Sequence, residues 1–235
     1  MIFRFKDIDY TFPSSLDAIT LRQRIAFNDE HGKHLDDWAK AIAEMKDEFK
    51  KEGERSHWHL DNAARMLSFY TGIPFEQVSK EVFITDLLYI YNTQMQELFR
   101  QEAEMQLQNI YSWNDEDWYI TTPELKPTDN MALNEFIVSK EIVRMLNAAG
   151  QGKWDMLPYL CAIYLRRKDE PFSEELVQEG SERLALMQDL PLDIAIAVGF
   201  FLSGIVNTYT TALHSLEKAE QRESQPVPTS TNGDG

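Results

Sequence analysis

The sequence predicts a mainly α protein, a helical bundle that carries two short β-hairpins near residues 2–12 and 110–121. Apolar residues recur at helical spacing through most of the chain, which is typical of amphipathic helices. Two aromatic segments break that pattern and place short strands on either side of a turn, which favours hairpins. Hydrophobic residues make up 43% of the 235 residues, a share typical of a globular protein.

The first hairpin is predicted at the N-terminus. Phe3 and Phe5 alternate with polar residues, Lys6–Asp7 supplies the turn, and a second alternating run ends before Pro13. This alternation places the apolar side chains on one face, which can then pack against the helices.

The second hairpin is predicted where four aromatic residues flank a turn. The turn is formed by Asn114–Asp117, and the aromatic residues are Tyr111, Trp113, Trp118 and Tyr119. Aromatic side chains pair well across antiparallel strands, so we favour packing within the hairpin and onto the helices. The alternative is that the cluster stacks a nucleobase or grips a peptide.

Apolar stripes and helix-ending residues predict the helices that fill the rest of the chain. Thr20–Gln23 has the capping-box pattern that starts a helix, whereas Gly32, Gly53 and Gly72 are expected to end helices. The stripe of the second helix consists of Trp38, Ile42, Met45 and Phe49. The predicted helices span residues 20–31, 34–51, 56–70, 74–80, 84–108, 130–149, 154–167, 173–188 and 191–220.

The chain is predicted to consist of two halves and a tail. Residues 1–108 hold the first hairpin and its helices, and residues 109–221 hold the second hairpin and helices that pack on the first half. Residues 222–235 are rich in Ser, Thr, Pro, Gly and Asn and are predicted to be disordered. In both halves a hairpin, a proline and a threonine precede the helices. An ancient duplication would explain this likeness, and a chance likeness between short helices joined by prolines is the alternative.

Charge and apolar content exclude several classes of function. The formal net charge is -16, from 39 acidic and 23 basic residues, and such a surface repels the phosphates of nucleic acid. The acidic excess suits either plain solubility or a basic partner. The longest apolar stretch, Ile194–Val206, is shorter than the roughly 20 residues that cross a bilayer, so we expect a buried helix and no membrane contact.

The single cysteine and the N-terminal residues indicate the compartment. Because Cys161 is the only cysteine, the chain has no internal disulfide, which fits a reducing environment. Cys161 lies in the apolar run Leu157–Leu165 and is interpreted as a core residue. The residues Met1–Phe5 lack the basic and apolar regions of a signal peptide. The sequence therefore predicts an intracellular protein.

Motifs for catalysis or metal binding are incomplete. Glu54 and His57 have the Glu-x-x-His spacing of di-iron bundles, but such a site needs a second motif and two further inward-facing carboxylates. The histidines interpreted as surface residues near helix ends are His31, His34, His57 and His59. The chain lacks a Gly-x-Ser-x-Gly motif, and Gly150–Lys153 does not have the spacing of a phosphate-binding loop. We predict no enzyme activity, no cofactor and no metal, with a metal-binding helical-bundle enzyme as the alternative.

Several segments together resemble a family of small helical proteins encoded in the structural gene clusters of tailed phages, the tail assembly chaperones. The resembling segments are Tyr10–Leu21, Leu67–Pro74, Met156–Leu165, Asp189–Pro191 and Gly199–Leu202. No segment is specific alone; their order along the chain carries the resemblance. They extend over most of the chain outside residues 30–55 and the tail, and the charged stretch His31–Arg55 departs from the family pattern.

The resemblance implies a protein without catalytic residues that acts in the cytoplasm of the infected bacterial host. Its partner would be the tape measure protein, the long helical rod that sets tail length, which the chaperone keeps soluble during tail assembly. Self-association is left open. A structural tail or baseplate component of the virion is the alternative.

The charged helix predicted at residues 34–51 is the candidate partner-binding surface. Its acidic residues are Asp36, Asp37, Glu44, Asp47 and Glu48. Acidic side chains would speed the approach of a basic partner, while apolar helix packing would supply the strength of the contact. Plain solvated surface is the alternative interpretation.

Overall fold

The structure is a computed structural model that describes residues 1–98, 100, 106–121, 133–148 and 153–199. Within these ranges the protein is mainly α-helical with two small antiparallel sheets, which confirms the predicted fold class. The helices are α1 (Leu21–Phe27), α2 (Lys33–Ala43), α3 (Glu48–Thr71), α4 (Phe75–Glu81), α5 (Ile84–Ile90), α6 (Leu133–Ala148), α7 (Lys153–Tyr164) and α8 (Glu182–Gln188), followed by helical residues 192–199. The strands are β1 (Ile2–Phe5), β2 (Ile8–Thr11), β3 (Ile110–Trp113), β4 (Glu116–Ile120) and β5 (Leu165–Arg166).

Contacts group Met1–Val198 into one compact unit, and a second unit begins at Gly199. The predicted boundary at residue 108 stays a prediction. The predicted disordered tail, 222–235, and most of the predicted helix 191–220 lie outside the described residues. None of the described helices is both long and apolar enough to cross a membrane.

The first hairpin forms as predicted, with a two-residue turn between β1 and β2. Lys6 and Asp7 both have positive φ, 52° and 62°, the conformation that matches the right-handed twist of the two strands. Phe3 lies opposite Tyr10, and the Phe3 side chain is buried. The hairpin therefore turns its aromatic face towards the core.

The start of α1 confirms the predicted capping box, but the predicted interruption at Gly32 is wrong. The Thr20 side chain accepts a hydrogen bond from the Gln23 amide, and the Gln23 side chain accepts one from the Thr20 amide. The helix then continues through a π-helical turn, Asn28–Gly32, into α2. A Cβ atom at Gly32 would stand 2.5 Å from the side-chain oxygen of Asn28, so glycine permits a close approach inside the helix.

The predicted boundaries of the next two helices are also wrong. The chain breaks after α2 and restarts at Glu48, because the Asp47 side chain accepts hydrogen bonds from the amides of Phe49 and Lys50 and caps α3. Gly53 lies inside α3. Glycine there costs only about 1 kcal/mol relative to alanine, which packing against α2 offsets. As predicted, α3 ends at Gly72, which has a φ of 75°.

Polar contacts fasten α2 to α3 as an antiparallel helical hairpin. The Trp38 indole donates to the Glu54 carboxylate at 3.2 Å, and the Trp58 indole donates to the Leu35 carbonyl at 3.0 Å. Further along, Arg65 lies 3.4 Å from the Nδ1 atom of His31. From the first of these contacts to the last, both partners lie farther from the break between α2 and α3. The two helices therefore run side by side in opposite directions.

The helix predicted for residues 84–108 is too long. α5 runs on through a second π-helical turn, Tyr91–Met95, and residues 106–108 are not helical. The Tyr91 hydroxyl lies 2.9 Å from the His59 Nδ1 atom, which holds this turn against α3.

The second hairpin forms where it was predicted, but its turn is Asn114–Asp115 rather than Asn114–Asp117, because Glu116 and Asp117 pair with β3. An unpredicted strand joins this hairpin. Tyr111 and Trp118 are paired and buried, which confirms the packing interpretation for these two residues. The helix predicted to reach Arg167 ends at Tyr164, because β5 pairs with β4. The helix predicted for residues 173–188 is divided into a short 3-10 turn, Glu174–Val177, and α8.

A buried ion pair attaches α6 to this sheet. The Arg166 guanidinium donates to both carboxylate oxygens of Glu135, at 3.1 and 3.0 Å, and to the Thr121 hydroxyl at 2.9 Å. The side chains of Arg166 and Glu135 are 7% and 4% exposed. A hydrogen bond from Tyr164 to Ser139 adds a second buried link between α7 and α6.

Two arginines stack on Trp118. The guanidinium carbons of Arg167 and Arg183 stand 4.8 and 4.7 Å from its ring centroid. Arg183 is buried and forms an ion pair with Glu170. Burial lowers the pKa of Arg183, and the nearby Glu170 carboxylate opposes that shift.

The two halves share part of their order of elements. The second hairpin reproduces the register of the first, with Tyr111 opposite Trp118 where the first half has Phe3 opposite Tyr10. In each half longer helices, a seven-residue helix (α4 or α8) and a further helix come after the hairpin, but β5 has no counterpart among the described residues of the first half. The duplication therefore stays a hypothesis, with a chance likeness as the alternative.

Candidate partner-binding corner

Three of the five predicted acidic residues lie at the turn between α2 and α3, which we call the corner, and the other two lie at the start of α2. Asp36 and Asp37 are on α2, Glu44 is its C-cap, Asp47 caps α3, and Glu48 begins it. All five are exposed. The prediction that they share one helix is wrong, because the chain turns between Glu44 and Asp47.

At the corner, the acidic residues only slightly outnumber the basic ones. Lys51 lies 3.8 Å from Glu48, and Lys40 lies 4.0 Å from Asp37. Exposed pairs of this kind contribute about 0–1 kcal/mol, so they leave these side chains free to rearrange. Two more lysines, Lys46 and Lys50, stand in the same stretch of chain. Charge alone therefore does not distinguish this surface.

An exposed phenylalanine distinguishes the corner. Phe49 follows Glu48 in the first turn of α3, and its side chain is 89% exposed. The apolar stripe predicted from the sequence contained Phe49 together with Ile42, which is buried. The stripe assumed one continuous helix. Since α3 starts afresh at Glu48, after the Asp47 cap, Phe49 leaves the buried face.

Further apolar side chains are uncovered around α5. The exposed large side chains there are Phe83, Ile84, Leu88 and Tyr89. Soluble proteins commonly expose isolated apolar residues, but a group within seven consecutive residues marks a candidate contact surface. Ile84 and Leu88 belong to the helix predicted for residues 84–108.

The histidines do not assemble into a metal site. His57 is exposed as predicted, whereas the surface interpretation of His31 is wrong because His31 is buried in the first π-helical turn. Glu54 and His57 lie within α3 rather than at a helix start, and Glu54 binds Trp38. Over the described ranges, no group of three or more His, Cys, Asp or Glu residues is placed to hold a metal ion.

Cys161 is buried, as predicted. Burial raises the pKa of its thiol well above the ordinary value, so the thiol stays protonated. It is therefore unsuited to act as a nucleophile.

We expect acid to destabilise the fold through two histidines. Burial lowers the pKa of His31 and of His59, and Arg65 and Arg55 respectively lower them further, while Glu30 and Glu52 oppose the shifts. The unfolded chain titrates near the ordinary value and therefore binds more protons. The free energy of unfolding should fall as the pH drops from about 7 to about 5, by at most roughly 1.4 kcal/mol per pH unit for each histidine.

Urea unfolding at a series of pH values measures this dependence. The variant His31→Gln/His59→Gln should show a flatter dependence between pH about 7 and about 5. His57→Gln is the matched control, because His57 is exposed and should leave the slope unchanged. An unchanged slope in the double variant would assign the dependence to other groups.

No protein-family model, curated protein or solved structure matches the chain in comparisons with known proteins.

Proposed function

We propose that the protein is a non-enzymatic tail assembly chaperone that binds the tape measure protein of a tailed phage and keeps it soluble in the host cytoplasm. The observation that carries the proposal is the exposed Phe49 at the corner, among charged side chains. The ordered resemblance of five segments to the chaperone family supports it.

The physical requirement for such a chaperone is an apolar contact surface on a soluble body. An unassembled helical rod exposes long apolar stripes, and these aggregate unless another protein covers them. Exposed aromatic and aliphatic side chains can receive such a stripe by helix packing. The net charge of -16 keeps a complex in solution and favours the approach of basic segments of the client.

We expect Phe49→Ala to weaken the complex with the tape measure protein while leaving the melting temperature unchanged. The side chain is 89% exposed, so its removal creates no cavity in the free protein. In a complex, a covered aromatic side chain typically contributes about 2 kcal/mol or more, which corresponds to roughly thirtyfold in the dissociation constant. Titration of the purified protein against a soluble fragment of the tape measure protein measures the change.

The control for this variant is Ile137→Ala on α6, because Ile137 is also largely exposed but lies far along the chain. It should bind as the unmodified protein does. Equal losses in both variants would show that Phe49 has no special part in binding.

Co-expression tests the function itself. The tape measure protein from the same genome should be soluble and copurify when this chain is present, and should aggregate without it. The chain should also be missing from mature particles analysed by mass spectrometry. A rod protein that is equally soluble alone, together with abundant chain in finished particles, would replace the proposal with a structural tail or baseplate component.

A further inference from the structure

The linker after α8 holds an extended segment of the first half. The Leu21 amide donates to the Leu190 carbonyl at 2.9 Å, and the Leu192 amide donates to the Ile19 carbonyl at 2.8 Å. Thr20 lies opposite Pro191 in this short antiparallel bridge. The apolar side chains on both sides of the bridge are buried. The linker thus acts as an edge that binds Ile19, Thr20 and Leu21, of which the first two are extended and Leu21 begins α1.

An arginine completes this contact. Arg22 follows the extended residues in the first turn of α1, and it donates to both carboxylate oxygens of Asp189 at 2.7 and 3.2 Å. It also donates to the Gln188 side chain at 2.8 Å and to the Ala185 carbonyl at 3.3 Å. The bound segment therefore has the pattern apolar–Thr–apolar–Arg and leads into a helix.

The first half contains the counterpart of this edge in the linker between α4 and α5. In the two hairpins, Phe3 corresponds to Tyr111. The same difference in residue number makes Val82 correspond to Leu190 and Ile84 to Leu192. The same spacing places Glu81 on Asp189. The two backbone groups and the acidic side chain that hold the extended segment in the second half thus have chemical equivalents in the first, whereas Lys80 stands at the position of Gln188.

This counterpart edge is uncovered. Among the described contacts, the Val82 carbonyl and the Ile84 amide have no hydrogen-bond partner. Phe83 is 75% exposed and Ile84 is 59% exposed. Val82 and Phe83 are already extended, with ψ angles of 126° and 139°. The backbone is therefore prepared to pair, without a change of conformation.

We propose that the α4–α5 linker binds an extended segment of a partner polypeptide with the pattern apolar–Thr/Ser–apolar–Arg/Lys, continuing into a helix. The segment forms two backbone hydrogen bonds, with the Val82 carbonyl and the Ile84 amide. Its apolar side chains cover Phe83 and Ile84. Its basic residue binds Glu81, which now pairs with Lys6 at the tip of the first hairpin. This site is separate from the corner, and the proposal does not depend on the proposed function.

Backbone pairing at an exposed edge is a recurrent way to bind peptides, and side-chain pockets then supply the specificity. The occupied edge in the second half shows which side chains suit this arrangement. Because Glu81 is acidic, the basic residue of the segment should contribute most to selectivity.

A labelled peptide with the sequence of residues 16–27 is the probe, titrated into the full-length protein by fluorescence anisotropy. We expect saturable binding. Ile84→Pro should weaken it about fivefold beyond Ile84→Ala, because proline removes the amide donor but fits the first position of a helix. Ile84→Ala retains the amide and is the matched control. Circular dichroism of both variants checks that the helix content is unchanged.

A charge exchange locates the basic residue of the bound peptide. Glu81→Arg should weaken the original peptide roughly tenfold, and a peptide with glutamate in place of its first arginine should regain binding to this variant. If neither Ile84→Pro nor Glu81→Arg changes the affinity for the peptide, the peptide binds elsewhere and the proposal is overturned. The absence of saturable binding would overturn it too.

Discussion

Arg166→Met should destabilise the protein by about 3–5 kcal/mol, because it leaves the buried Glu135 carboxylate without its partner. The arginine makes two hydrogen bonds to Glu135 and one to Thr121, all of them buried. A carboxylate that is 4% exposed cannot exchange the lost contacts for water without local opening of α6. Denaturant unfolding followed by circular dichroism measures the loss.

The double variant Arg166→Met/Glu135→Leu is the control for that prediction. It removes both charges and places apolar side chains of similar length in the same space. Because removal of both charges also avoids the cost of taking them out of water, the double variant should recover most of the lost stability. A double variant as unstable as Arg166→Met would show that the cost arises from packing around Arg166 rather than from the unpaired carboxylate.

Trp118→Ala should cost about 3–5 kcal/mol, the usual range for a large buried aromatic side chain. The buried indole of β4 contacts the guanidinium groups of Arg167 and Arg183, and it donates to the Trp113 carbonyl at 3.2 Å. Its removal also leaves the buried Arg183 guanidinium without an aromatic face. The midpoint of thermal unfolding should fall accordingly.

Trp118→Phe separates these contributions. Phenylalanine keeps an aromatic face for Arg167 and Arg183 but removes the indole hydrogen bond and part of the volume. It should therefore cost distinctly less than alanine, about 1–2 kcal/mol. If both variants lose the same stability, the stacking contributes nothing measurable, and the loss arises from what both variants remove, which is the indole hydrogen bond and the outer part of the indole volume.

Features encoded by a few neighbouring residues were predictable from the sequence. The capping box at Thr20–Gln23 and the left-handed glycine at Gly72 each act within one turn of the chain. Both hairpins were predicted because alternating apolar residues and turn residues lie close together. The two-residue turn was predicted for the first hairpin, Lys6–Asp7, but not for the second, whose turn is Asn114–Asp115 rather than Asn114–Asp117.

Features that depend on distant residues were not predictable. β5 forms because β4, about forty-five residues earlier, offers an open edge, and the apolar run before Leu165 looked like continued helix. Gly53 stays helical because α3 packs along α2. In both places a tertiary contact outweighs the local preference.

The candidate site shows the same division. The exposure of the five acidic residues was predictable because each is charged and lies near a helix end. The exposure of Phe49 was not, since it depends on where α3 restarts, and Asp47 decides that through its cap. The capping carboxylate of Asp47 thereby places Phe49, which was predicted to be in the core, on the surface.

The indoles of Trp38 and Trp58 make the joint between α2 and α3 optically observable. Both are partly buried, and each is hydrogen-bonded across the joint. An indole that loses such shelter emits at longer wavelength, so separation of the two helices shifts the emission of these residues to the red. Variants that retain one of these two tryptophans can therefore report, without an added label, whether a molecule that binds the corner opens the joint or leaves it closed.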